Sequence, residues 1–188
     1  MKKTVFFAAL ALMSSICTAQ IPSIDTAQQI TNRLVLLYET TNLPNFKQLN
    51  DEILDNTAKS WFLFSNQVKV IHKNEQPQLF KQDKADYSVA IRKQDAANLA
   101  LFFFGRPARL LNEPEYLYGE IADGVPLCES KITKITAQNK NQALIDAELW
   151  CSDSSGEESK NKQGSIRLEV KPSATFPTGW EVVSWQLK

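Results

Sequence analysis

The chain has 188 residues, with 21 basic and 21 acidic side chains, one histidine, three cysteines and six glycines. This balanced charge excludes the basic surface typical of nucleic-acid-binding domains and of proteins that bind anionic membranes. One histidine excludes sites that need two imidazoles, and six glycines leave little material for a phosphate-binding loop. We therefore expect no cofactor, no resident metal and no nucleic-acid partner.

The first nineteen residues have the pattern of a secretory signal peptide. Lys2 and Lys3 precede an apolar run at 4–13, and the small residues Cys17 and Ala19 stand before Gln20. Such a segment is too short and wrongly flanked for a membrane span. The pattern predicts a periplasmic or secreted protein, with cleavage before Gln20.

A lipid anchor on Cys17 is the alternative interpretation of this segment. Ile16 disfavours it, because the lipidation signal needs a small residue at that position. Loss of residues 1–19 leaves 19 basic against 21 acidic side chains. We expect residues 20–188 to form one domain without a membrane span, since their number suits one core and no later apolar run is long enough.

A first helix is predicted directly after Pro22. Ser23 or Asp25 can cap it. Gln28, Asn32 and Glu39 lie on its other sides. Its apolar positions recur at helical spacing and are Ile24, Ala27, Ile30, Leu34, Leu37 and Tyr38.

Two further helices are predicted along the chain. Pro44 separates the first helix from a second one, whose apolar residues are Phe46, Leu49, Ile53 and Leu54. Residues 57–71 fit helix and strand about equally. The third helix is predicted at 85–104, because Gly105 and Pro107 follow it as a helix end requires.

From Cys128 onward the apolar period changes from helical spacing to two. The connection at 106–126 predicts at most one short strand, at 116–121. The polar segment at 152–164 is predicted as a mobile hairpin loop. Four strands are predicted, at 132–137, 143–151, 165–171 and 180–187. Helices followed by an antiparallel meander are typical of the α+β class.

Two cysteines remain after the predicted processing, and a register argument pairs them. A two-residue turn at 139–140 places Cys128 opposite Cys151 and Lys131 opposite Glu148. An even cysteine pair in an oxidising compartment is expected to be bridged. We interpret this disulfide as a structural staple, because no Cys-x-x-Cys motif is present.

The closing strand reads Gly179-Trp180-Glu181-Val182-Val183-Ser184-Trp185. With the helical start and the strand pairs after Cys128, this order resembles the nuclear-transport-factor-2-like (cystatin-like) superfamily across most of residues 23–187. The resemblance implies N-terminal helices packed on a curved antiparallel sheet of about four strands, a cystatin-like roll. It also implies a homodimer through the outer sheet face as a hypothesis. Enzymes, binders and toxin-immunity proteins share this fold, so no catalytic residue carries over.

The search for catalytic chemistry gives no candidate residue. None of the common nucleotide-binding, metalloprotease or nucleophile-elbow motifs is present. His72 is interpreted as a surface residue. Asp146 and Glu148 share one strand face, where we expect them to be exposed and ion-paired rather than catalytic.

Six residues are candidates for contact with a ligand or partner: Phe103, Arg106, Arg109, Tyr116, Tyr118 and Trp150. Phe103 belongs to a run of three phenylalanines that cannot all face one core. The two arginines either hold an anion or complement a helix C-terminus. The two tyrosines share one side if their segment is extended, and an exposed Trp150 would mark an interface.

These observations support three hypotheses, in order of preference. The first is an exported, non-catalytic domain that recognises a protein partner, for example a toxin-immunity or inhibitor protein. The second is a binder of a small apolar ligand, in a pocket lined by some of Tyr38, Trp61, Phe102, Phe103, Phe104 and Tyr116. The third is an acid/base enzyme that uses the same pocket.

Overall fold

The computed structural model describes residues 20–81, 84–122, 127–152, 160–174 and 176–188, so the predicted signal peptide lies outside it. The helices are α1 (Ile24–Thr41), α2 (Asp51–Lys59) and α3 (Lys93–Phe104). Two 3-10 helices lie at Trp61–Phe64 and Pro77–Phe80. The strands are β1 (Val70–His72), β2 (Val89–Arg92), β3 (Tyr116–Gly119), β4 (Cys128–Asn139), β5 (Gln142–Ser152), β6 (Lys160–Pro172) and β7 (Trp180–Leu187).

The larger sheet is an antiparallel meander with the strand order β4-β5-β6-β7. On β5, every second residue from Ala143 to Leu149 is buried, and the residues between them are half-buried. Helix α1 packs on β4 and β5. The predicted α+β fold, with helices on one face of a curved antiparallel sheet, is confirmed.

A second sheet, with the order β1-β2-β3, was not predicted from the sequence. Strand β2 occupies the first half of the helix predicted at 85–104, so α3 begins only at Lys93. Val89, Ala90 and Ile91 are all buried, and an apolar run this short fits helix and strand alike. Arg92 precedes α3 without a side-chain cap, so the sequence carries no start signal there.

The second helix also starts later than predicted. It begins at Asp51, where the Asn50 side chain accepts a 2.9 Å hydrogen bond from the Ile53 amide. Phe46, which was assigned to this helix, instead pairs with Trp185 of β7. Residues 57–71, which fit helix and strand about equally in the sequence, contain both: the end of α2, a 3-10 helix and most of β1.

The β4–β5 hairpin has the predicted register near the cysteines but a different turn. Cys128 faces Cys151 and Lys131 faces Glu148, as predicted. Asn139 pairs with Gln142, so the turn lies one residue later. Two irregularities in β4, one around residue 133 and one around residue 138, shift the register between the turn and the cysteines.

The disulfide Cys128–Cys151 is formed, with a sulfur–sulfur distance of 2.18 Å. The loop predicted beyond it is shorter than expected, because β5 extends to Ser152 and β6 begins at Lys160. The rest of that predicted loop, residues 153–159, lies outside the described part of the chain, as do residues 123–126 of the predicted connection.

Aromatic rings fill the interior between the helices and the large sheet. Trp61, Phe103, Phe104 and Trp185 are almost fully buried in one continuous core. The Phe64 and Phe103 ring centroids lie 4.9 Å apart in an edge-to-face arrangement. Among the helices of the described ranges, none is long and apolar enough to cross a membrane.

Candidate functional site

The two edge strands of the large sheet are closed in different ways. The β7 edge is covered by the backbone of residues 45–49. Phe46 and Trp185 exchange two backbone hydrogen bonds of 2.9 Å. The Asn45 side chain accepts from the Leu187 amide at 2.7 Å and donates to its carbonyl at 3.1 Å. This segment therefore covers the β7 edge through one isolated β-bridge and the Asn45 side chain.

The first third of the β4 edge is covered by side chains of α1. The Ser130 amide donates to Asn32 Oδ1 at 3.1 Å, and Gln28 Nε2 donates to the Ser130 carbonyl at 2.8 Å. The Glu39 carboxylate accepts from the Cys128 amide at 3.2 Å. These side chains supply the donor and the acceptors that a neighbouring strand would supply.

Beyond Ser130, none of the described residues covers the β4 edge, and we call this stretch open. The Cα atoms of Cys128 and Cys151 lie 4.0 Å apart, which is typical of a non-hydrogen-bonded pair whose backbone groups point away from β5. This alternation directs Ile132 outward and, after the irregularity at residue 133, Ile135 and Ala137. In the described ranges, no backbone hydrogen bond from outside the hairpin reaches these three residues.

An apolar groove of about 580 Å³ lies beside this open stretch. We call it the β4 groove; it is lined by Ile21, Pro22, Ser23, Ile24, Ile132, Thr133, Lys134 and Ile135. Ile21 is 51 % exposed and Ile24 is 70 % exposed. The sequence placed Ile24 on the apolar side of α1, but burial along this helix starts only at Ala27. The first turn of α1 thus presents apolar side chains to solvent.

Most charges on the outer face of the sheet are ion-paired, including Glu129 of β4 with Lys160 at 2.6 Å, but within the described part of the chain Lys131 and Lys134 of β4 are not. The ion pairs join Asp146 to Arg167, Glu148 to Lys162 and Lys171 to Glu181. Although Lys131 faces Glu148 in register, that carboxylate binds Lys162 at 2.8 Å instead. Lys131 and Lys134 are exposed, and neither forms an ion pair with an acidic residue in the described ranges. They leave positive charge along the open edge.

Trp150 lies half-buried next to this edge rather than fully exposed. Its Nε1 donates to Glu148 Oε2 at 3.1 Å. The hydrogen bond from Lys162, followed by that from Trp150, holds the pKa of Glu148 below its usual value. With Gln28 and Asn32, Trp150 lines a polar cleft of about 460 Å³. Of the six predicted contact residues, Trp150 is the one that lies on the strand paired with β4, opposite Glu129.

Arg106 and Arg109 bind an acidic helix start within the molecule. Their guanidinium groups approach the Asp51 carboxylate at 3.5 Å and 3.4 Å. The backbone amides of Arg109 and Leu110 donate to Asp55 Oδ1 at 3.1 Å and 3.2 Å. The two arginines thus connect the end of α3 to α2. This favours a structural role for them over binding of an external anion.

Tyr116 and Tyr118 line one shallow groove of about 240 Å³, together with Tyr87. The Tyr118 hydroxyl donates to the Leu79 carbonyl at 3.1 Å, and its ring packs edge-to-face on Phe80. The expected shared side of the two tyrosines is present. However, the Tyr118 ring is committed to contacts within the molecule.

Phe103, one of the candidate contact residues, is 1 % exposed and therefore does not present a surface for contact. It faces the core, whereas the half-buried Phe102 lies against the guanidinium of Arg33, 4.3 Å from its ring centroid. Burial lowers the pKa of Arg33. The run of three phenylalanines is thus divided between the core and a cation–π contact.

The sequence did not identify the residues before and within α1 that lie along the β4 edge. Gln28 and Asn32 were assigned to the polar sides of α1, and their spacing of four residues was the available signal, because it places both on one helix face. Ile21 and Ile24 lie on either side of the helix cap Ser23 but outside the two positions of a hydrophobic staple, which here are Pro22 and Ala27. Only the tertiary structure shows that both isoleucines are exposed.

The described residues hold no group of three or more His, Cys, Asp or Glu side chains that could bind a metal ion. Ser130 is the polar side chain at the centre of the α1–β4 contact, and its Oγ donates to Asn32 Oδ1 at 2.7 Å. An amide oxygen is not a general base, so this arrangement positions the edge and does not activate a nucleophile.

Comparisons of the chain with protein-family models, with curated proteins and with solved structures give no match. The fold defines the class: an α+β protein with helices packed on a curved antiparallel sheet. The resemblance to the nuclear-transport-factor-2-like superfamily stays a prediction.

Proposed function

We propose that this chain is an exported, non-catalytic domain that recognises a protein partner through the β4 groove. The observation that carries the proposal is the pair of strongly exposed isoleucines, Ile21 and Ile24, beside an open strand edge. A contiguous apolar surface next to unpaired backbone groups is costly to leave exposed and is typical of interaction sites. A toxin-immunity or inhibitor protein is one concrete form of this function.

The filled interior favours a protein partner over the predicted small-molecule pocket. Trp61, Phe103 and Phe104 were expected to line that pocket, but they are buried and packed against neighbouring rings. An enclosed apolar site of the kind that binds small ligands needs unoccupied space between such side chains. The β4 groove is an open surface groove, which suits a protein segment better.

Site-specific photo-crosslinking tests the proposal directly. A benzophenone side chain placed at position 24 should capture a defined partner from the export compartment. The same group at position 111 is the control, because Leu111 is 77 % exposed but lies outside the groove. Equal capture at both positions, or no capture at either, would contradict the proposal.

The dissociation constant for the captured partner then shows whether Ile24 contributes to binding. The variant Ile24→Asp should bind at least about tenfold more weakly, because it places a charge in the apolar contact. Its fold should be retained, since an acidic residue in the first helical turn is favourable. Leu111→Asp should bind as the wild type does. Unchanged affinity of Ile24→Asp would exclude the β4 groove as the recognition site.

A further inference from the structure

We infer that the partner presents an extended segment with alternating apolar and acidic residues, which adds to β4 as a fifth strand. This inference rests on the proposed function and specifies the chemistry of the recognised segment. Three features carry it: the outward backbone groups of β4, the two different faces of the open edge, and the positive charge of Lys131 and Lys134. Lys131 acts on Glu148 across the strand pair, but neither lysine forms an ion pair within the described ranges.

The backbone feature is an interrupted row of hydrogen-bonding groups. At β7, the fold satisfies the outward groups with residues 45–49. At Ser130, it satisfies them with Gln28 and Asn32. At Ile135 and Ala137, the described chain offers nothing comparable, which leaves two amides and two carbonyls for another strand. The irregularities around residues 133 and 138 limit the regular stretch to residues 134–137.

The side chains of the open stretch divide between two faces. Ile135 lies opposite the fully buried Ile145, so it points to the α1 side of the sheet, where the β4 groove lies. Lys134 lies opposite Asp146, so it points to the outer face. A strand that pairs here alternates between these two faces in the same way. Its groove-side residues should therefore be apolar, and its outer-side residues should meet lysines.

The lysines select the charge of the partner and disfavour a second copy of this chain. Antiparallel pairing of β4 with β4 of another copy would bring Lys131 and Lys134 of both chains onto one outer face. Lysine on an edge strand is a common protection against such self-association. An acidic segment would instead gain opposite-charge neighbours, which assists both association rate and specificity.

The test uses a synthetic peptide of seven residues that alternates valine and glutamate, with both ends capped to remove terminal charge. Binding to the exported chain is measured by calorimetry and by the chemical shifts of β4 amides. The peptide should bind and shift the signals of Ile135 and Ala137. A control peptide that alternates valine and lysine should bind at least about tenfold more weakly.

Charge reversal supplies the matched protein variant. Lys131→Glu/Lys134→Glu should invert the preference, so that the lysine peptide binds more tightly than the glutamate peptide. Both side chains are exposed on an edge strand, so the fold should be retained. A preference that stays the same in this variant would contradict the role of the lysines.

Backbone methylation tests strand addition itself. Within a strand, the amide direction alternates together with the side-chain face. Methylating all valine nitrogens should therefore abolish binding in antiparallel addition, and methylating all glutamate nitrogens should abolish it in parallel addition. One methylated peptide must bind and the other must not. Equal behaviour of the two methylated peptides would overturn the fifth-strand inference.

The outcomes separate this inference from the proposed function. If the partner requires Ile24 but the valine–glutamate peptide does not bind, the recognised segment has a different chemistry and only the inference fails. If the partner's binding is indifferent to Ile24→Asp, the proposed function fails at this site. Concentration-dependent dimers that shift the amide signals of Ile135 and Ala137 would point to a second copy and would also overturn the inference.

Discussion

The two edges of the large sheet show two ways of ending a β-sheet. Along β7, a backbone segment anchored by Phe46 pairs with the strand and is part of the core. Along β4, the described part of the chain covers the edge with side chains of α1, which bind the outward backbone groups as far as Ser130. A backbone cover closes an edge continuously, whereas a side-chain cover ends where the helix face ends. The uncovered remainder is available for function.

This difference separates stability from recognition within one sheet. The ring of Phe46 is buried and lies edge-to-face with that of Phe104, with centroids 6.0 Å apart. The ring contact ties the β7 edge to α3. At the β4 groove, by contrast, Ile24 is mostly in solvent. Substitutions on the β7 side should therefore lower the stability of the protein, and those in the groove should affect binding.

The largest effect is expected at the β7 edge. Phe46→Ala should lower the free energy of unfolding by about 3–5 kcal/mol, because it removes a buried ring from a packed core. Ile24→Ala, the matched change at the β4 groove, should alter it by less than about 0.5 kcal/mol. Urea unfolding followed by tryptophan fluorescence measures both. Similar losses of unfolding free energy in the two variants would contradict the proposed difference between the β7 edge and the β4 groove.

The disulfide is the second largest contribution and lies at the covered end of β4. Cys128→Ala/Cys151→Ala should lower the free energy of unfolding by about 3–4 kcal/mol, because the 23-residue separation no longer restricts the unfolded chain. Urea unfolding of the oxidised and reduced wild type provides the control, since reduction should reproduce most of the loss. An unchanged midpoint in both would show that the bridge does not stabilise this edge.

The side-chain cover of β4 should have a smaller effect. Asn32→Ala should cost about 1–2 kcal/mol, because the amide of the buried Ser130 loses its acceptor. Asn98→Ala is the control, since Asn98 accepts only from an exposed Gln94 on the same helix. Thermal unfolding should separate the two variants by several degrees. Equal midpoints would mean that solvent replaces Asn32 without loss.

The smallest effect is expected from the outer-face ion pairs. The pKa of Glu148 is lowered in the folded state, so its contribution to stability is present above its unfolded pKa of about 4.3. That contribution is lost as the pH falls through the lower, folded value. Glu148→Gln should therefore destabilise slightly at neutral pH, and the difference from wild type should vanish in acid. Urea midpoints across this range, with Glu120→Gln as the exposed control, should show the trend; a constant difference would contradict it.

The sequence was sufficient to predict the large sheet but not the small one. The alternation of Ile166, Leu168 and Val170 has a period that only a strand gives, so β6 was predictable. Strand β2 is a run of buried apolar residues directly followed by a helix, and its period is ambiguous at that length. The predicted cysteine register is correct only because the two irregularities in β4, which were not predicted, offset the misplaced turn.

The candidate site was not predictable for a different reason. Exposure of Ile24 depends on where the sheet ends relative to the first turn of α1, and local pattern does not encode this. Arg106 and Arg109 could be explained from the sequence as cations that complement the C-terminus of α3. The structure adds a second reason, an ion pair with Asp51, which is distant in sequence and was not predicted. Trp150 was expected to mark an interface if exposed, but it is half-buried and its hydrogen-bond partner Glu148 lies on its own strand.

Backbone amide hydrogen exchange distinguishes an open β4 edge from a closed one. The amides of Ile135 and Ala137 should exchange nearly as fast as those of an unstructured peptide, because nothing in the described chain accepts from them. The Trp185 amide, bonded to the Phe46 carbonyl, should exchange at least about a thousandfold more slowly. Strong and equal protection of Ile135 and Trp185 would show that the β4 edge is closed, and would contradict the account of the site.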